Sequence, residues 1–120
     1  MKFAICIQAP PYSPSAYSGY QFALSCLKKH DISTIFFYGE GVFNTCNVAE
    51  KRPDEIHMPS LWQELNQCHK VPLILCSTAG FKYGVISQEV DGLTIDGAEI
   101  AGLGEWVAQS SSADKVVVFK

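Results

Sequence analysis

Five cysteines, Cys6, Cys26, Cys46, Cys68 and Cys76, are the side chains of this chain best suited to covalent chemistry. A thiol reacts as its thiolate, so the chemistry depends on where each sulfur sits and what charge surrounds it. Five is an odd number, and the start MKFAICIQAPPY lacks the long apolar stretch and small-residue cleavage site of an export signal. Reduced thiols in a cytoplasmic protein are therefore expected, not a disulfide framework. No CxxC or HxxxH pair is present and the three histidines stand far apart, which argues against a metal site.

Each cysteine has a local setting. Cys6 lies inside the apolar run FAICI, and Cys26 and Cys68 fall on the apolar stripes of expected helices, so all three read as core. Cys46, in Asn44-Thr45-Cys46-Asn47, reads as an incidentally exposed loop thiol and the runner-up for reactivity. Cys76 alone follows a strand directly and opens a helix. The unpaired amides and dipole of a helix start favour an anion there, whether thiolate or persulfide. Cys76 is thus expected to lie near solvent at a strand end and to be the most reactive thiol; the other reading of a cysteine at a strand end is a buried space-filler.

Other chemistries find less support. Pro10, Pro11 and Pro14 remove amide donors from the loop after the first strand, and no GxGxxG or GxxxxGK[ST] occurs. No flavin, nucleotide or other cofactor is expected. Neither His57, on the central loop, nor His69, on the second helix, accompanies a nucleophile-elbow motif, so Ser/His/Asp hydrolysis is not indicated. A net charge of −3 and a pI of about 5.5, with scattered Lys and Arg, give no footprint for direct nucleic-acid binding. No apolar run is long enough to span a membrane.

The elements that must position Cys76 follow from periodicity. Strands are expected over Lys2–Ala9, Ile32–Tyr38, Val71–Leu75 and Lys115–Phe119. Helices are expected over Ala16–His30, Pro59–His69, Cys76–Tyr83 (ended by Gly84) and Gly102–Ser110. Residues 42–56 read as loop with a short helical turn, and 86–95 as loop. The alternation implies a single domain over 1–120: an α/β fold with a doubly wound, flavodoxin-like parallel sheet and helices on both faces. Hydrophobic residues are 48% of the chain and charged ones 18%, enough for a full core and consistent with surface hidden between subunits.

Five segments, MKFAICIQAPPY, SGYQFALSCLKK, FFYGEGVFN, LILCSTAGFKYGV and GLGEWVAQSSSADKVVVF, resemble the DsrE/TusD family in order along nearly the whole chain. The most diagnostic pieces are FFYxxGVxN and a cysteine followed eight residues later by glycine, Cys76 and Gly84. The resemblance implies a sulfurtransferase subunit without cofactor, with Cys76 carrying sulfur as a persulfide. It implies TusB- and TusC-like paralogues as partners in a cytoplasmic heterohexamer, served by upstream and downstream sulfur carriers. The sulfur would go towards 2-thiolation of a tRNA wobble uridine. The alternatives are sulfur trafficking in dissimilatory sulfur oxidation and a non-catalytic structural subunit of a DsrE-like hetero-oligomer. Departing from the family's more basic pattern, the segment Gly80-Phe81-Lys82-Tyr83 carries one charge, and the loop over 85–98 is short.

Overall fold

A computed structural model of the chain describes residues 1–47 and 53–120; part of the loop expected over 42–56, with the Lys51-Arg52 pair, lies outside the described residues. Five parallel strands, β1 (Lys2–Ile7), β2 (Asp31–Phe37), β3 (Leu73–Cys76), β4 (Ala98–Ala101) and β5 (Lys115–Phe119), form one sheet in the order β4-β3-β2-β1-β5. β1, β2 and β3 are apolar runs buried along most of their length, as strands covered on both faces must be.

Four α-helices connect them: α1 (Pro14–Cys26), α2 (Met58–His69), α3 (Ser77–Lys82) and α4 (Leu103–Ser112). The first three crossovers step the same way across the sheet, and the last returns across it to β5. Right-handed crossovers then place α1, α2 and α3 on one face and α4 alone on the other. Two adjacent residues of β2 confirm it. Phe37 packs edge-on to Trp62 of α2 at 5.2 Å, and Phe36 stacks on Trp106 of α4 at 5.5 Å. The α/β doubly wound, flavodoxin-like architecture is the one the sequence implies.

The boundaries differ in instructive ways. α1 starts earlier, at Pro14, because Ser13 caps it by accepting from the Ser15 amide, and proline suits a first turn. It ends at Cys26 and a turn follows, where a helix to His30 was expected. A 3₁₀ helix, Gly39–Thr45, fills the stretch after β2. β4 was not expected: AEIA is a short edge strand, and no residue of it is buried.

α2 is rotated from the expected stripe of Leu61, Leu65 and Cys68. Met58, Pro59, Trp62 and Leu65 face the core, because the large indole of Trp62 takes the inward position. Cys68 is therefore exposed, not core.

The two faces are finished differently. On the three-helix face the buried Asn44 donates to the carbonyls of Ala9 and Gly41, both at 2.9 Å, and accepts from Trp62 Nε1 at 3.0 Å. This knot ties the exit of β1, the 3₁₀ helix and α2 together. Gly41 must be glycine, since a Cβ there would run into the backbone carbonyl of Ile7. Two buried side-chain atoms lack a hydrogen-bond partner among the described residues: Thr34 Oγ1 on the α4 face and His57 Nε2 at the start of α2.

Candidate functional site

Cys76 is the last residue of β3 and the N-cap of α3, the junction expected from the sequence. LILC enters the sheet as a wholly buried strand, paired with β2 on one side and with β4 on the other. Gly80 lets α3 fold back onto that strand, because a Cβ there would meet the side chains of Ile86 and Leu75. Gly84, at φ 76°, ends the helix in the left-handed region that glycine occupies without strain. The cysteine and the glycine of the diagnostic pair thus bracket one short helix.

Side chains alternate along a strand, which fixes the direction of Cys76. Ile74 is in register with Phe36, the residue stacked on Trp106, so Cys76, two residues on, also faces α4. Its partner on β4 is Ala101. The side chain is fully buried, at 0% exposure, which corrects the expectation of a strand end near solvent. Covered by other segments, Cys76 is not placed first among the thiols by exposure: Cys68 is exposed and Cys46 partly so.

The amides that open α3 have no partners within the helix, the setting expected to favour an anionic sulfur. The helix spans only six residues, Ser77–Lys82, and the Cys76 side chain makes no capping bond. Lys82, the one charge of the segment, lies over the ring of Tyr83 at 5.5 Å.

Cys6 occupies the same sheet face, in register with Phe36. Burial pushes its thiol from an ordinary 9.0 up to about 11; the side-chain hydrogen bond with Gln8 works the other way, and the charge of a nearby Cys76 thiolate adds to the rise. Burial likewise raises Cys26. Both behave as the packing thiols expected of them.

A cavity of about 430 Å³ opens where the loops after β1 and β2 meet the start of α2, lined by Pro11, Tyr12, Phe43, Cys46, His57 and Met58 among others. A smaller one of about 210 Å³ runs along the 85–94 loop. Cys76 lines neither. His57, which the sequence left as a loop residue, caps α2: its Nδ1 accepts from the Ser60 amide at 3.3 Å. The signal for it was Pro59 two residues on, marking a helix start. Among the described residues no group of three or more His, Cys, Asp or Glu side chains comes together, and no helix is long and apolar enough to cross a membrane.

Comparison with known proteins agrees with this fold. The model of the DsrE/DsrF-like family matches residues 1–119. A sulfurtransferase TusD homolog of Haemophilus influenzae is 37% identical over 124 aligned residues, covering 98% of each chain. Among solved structures, the ychN protein from E. coli superposes with a TM-score of 0.84 at 25% identity, over 99% of each chain.

Proposed function

The chain belongs to the DsrE/DsrF-like family, and from that premise we propose that it is a sulfurtransferase of a sulfur relay, carrying sulfur as a persulfide on Cys76. The carrying observation is the place of Cys76, the one cysteine that both ends a strand at the carboxyl rim of the sheet and opens a helix.

The chemistry is thiol exchange and calls for no metal or organic cofactor. The Cys76 thiolate attacks the outer sulfur of a donor persulfide, forming Cys76–S–SH while the donor leaves as a thiolate that takes up a proton. An acceptor thiolate then attacks the outer sulfur of Cys76–S–SH, and the Cys76 thiolate leaves. Each exchange forms one sulfur–sulfur bond and breaks another, so no net oxidation occurs.

The likeness to a TusD homolog supports a destination in 2-thiolation of a tRNA wobble uridine. It also supports work in the cytoplasm beside TusB- and TusC-like subunits, with residues 1–120 acting as one domain. Sulfur trafficking in sulfur oxidation uses the same exchange with a different acceptor. A purely structural subunit has no need of a cysteine at the strand end, and Cys76 favours the carrier.

Intact mass after incubation with a protein persulfide donor tests the reading. The wild-type chain gains one sulfur atom on Cys76 and Cys76→Ser gains none there. A variant that still loads and passes sulfur at the wild-type rate would place the carrier elsewhere. Because Cys76 is buried, the serine hydroxyl also costs ~1–3 kcal/mol if it finds no partner, so transfer is compared on folded protein.

A further inference from the structure

Sulfur exchange needs the reacting atoms about 3–3.5 Å apart, and a side chain at 0% exposure offers an incoming sulfur no such approach. Something must move, and the chain path identifies it. The last residue of β4, Ala101, pairs with Cys76 on β3. Trp106, in the second turn of α4, stacks on Phe36 of β2. β3 lies between β4 and β2, so residues 102–105 cross the carboxyl end of β3 on the face to which Cys76 points.

We propose that the junction Gly102–Glu105 is a flap over Cys76, hinged at Gly102 and Gly104 and latched by Trp106 on Phe36. The flap's purpose rests on Cys76 being the sulfur carrier; its geometry does not.

The fastening of α4 supports the flap. None of its residues is buried, whereas α1 and α2 each bury four. Its N-cap is Gly102, with no side-chain cap bond. Leu103 and Val107 stand 48% and 59% exposed, so little apolar area holds the helix down beyond the Trp106 ring. The glycines have no steric reason to be glycine. A Cβ at Gly102 or Gly104 would meet open space, and neither has a positive φ. What they supply is backbone freedom, Gly102 where the chain turns from strand to helix and Gly104 in the first turn of α4.

The test is timed alkylation of the full chain with iodoacetamide and peptide mapping, in the wild type, in Trp106→Ala and in Gly102→Ala/Gly104→Ala. Cys26, buried on α1 across the sheet, reports global unfolding. The expected wild-type result is Cys76 labelled faster than Cys26. Trp106→Ala raises the Cys76 rate about tenfold relative to Cys26, the order of effect of losing a stacked, partly buried ring. The paired alanine variant, which fills only open space, lowers the Cys76 rate several-fold while leaving Cys26 no faster. Equal labelling of Cys76 and Cys26 in every variant, or a Cys76 rate that neither change moves, overturns the flap. A sulfur-loading assay on the same samples separates the two ideas. Loading with unmoved alkylation sinks the flap alone, and alkylation as expected without loading sinks only the carrier.

Discussion

The three-helix face of the sheet and the α4 face are built from the same strands but finished to different standards. On the first, a buried polar residue, Asn44, has three good hydrogen bonds, and Trp62 is wholly buried beneath Tyr20 and beside Phe37. Among the described residues each side has one orphaned buried atom, His57 Nε2 at the start of α2 and Thr34 Oγ1 on the second face, but only the second face is covered by a helix that buries nothing fully. A domain loses stability where polar groups are orphaned and surface stays wet. Here the weaker finish coincides with the face that holds Cys76. The contrast teaches that the rigid face positions the strand and the loose face governs access to its end.

The largest expected effect breaks the stronger face. Asn44→Ala orphans Trp62 Nε1 and the Ala9 carbonyl inside the core, while the Gly41 carbonyl keeps the backbone amide of residue 44 in the 3₁₀ helix. At ~1–3 kcal/mol for each buried unpaired group, the loss should reach about 3–5 kcal/mol. Urea unfolding reads it directly, and a loss under about 1 kcal/mol would mean the knot does not hold that face.

Alkaline pH probes the weaker face at intermediate size. Below pH 9 Cys6 keeps its proton in both folded and unfolded chains. Between its ordinary 9.0 and about 11 the unfolded chain gives up the proton and the folded chain holds it. Stability is therefore fully present below pH 9 and falls towards pH 11, by up to about 1.4 kcal/mol per pH unit from this group. The measurement is the difference in pH slope between wild type and Cys6→Ala. Identical slopes would show that Cys6 ionises as easily folded as unfolded.

The smallest effect sharpens the comparison by repairing the flaw. Thr34→Val keeps the β-branched shape and removes the orphan hydroxyl, so a gain of about 1 kcal/mol is expected. A thermal shift downward instead would reveal a partner for that oxygen.

Much of this was legible in the residues. FAICI, ISTIFF and LIL are apolar runs bounded by turn formers, which is how a doubly wound sheet announces itself. Cys76 at a strand end needed only that run and the helix-ending Gly84. What escaped was set by contacts between distant positions. The Asn44 bonds reach 35 residues back to Ala9 and 18 forward to Trp62, so no local pattern displays them. Cys68 turned outward because Trp62 claimed the inward phase of α2. β4 escaped because its side chains are mostly wet and the alternation is weak over four residues. The burial of Cys76 depends on how α4 returns across the sheet, a property of topology and not of its neighbours in sequence.

The strand order has a consequence for how the chain reaches this fold. β1 is flanked by β2, its near neighbour in sequence, and by β5, clasped to it by the Lys2 amide and the Asp114 carboxylate across 112 positions. Closing that loop is slow, because its entropy is lost before any contact repays it. Until then a half-assembled sheet presents Phe3–Ile7 as an unpaired apolar edge, the kind of strand that recruits other chains into aggregates. The short strand KVVVF covers that buried edge late and becomes the new edge itself, with Val116 and Val118 exposed, so deleting it should produce inclusion bodies where the full chain yields folded protein.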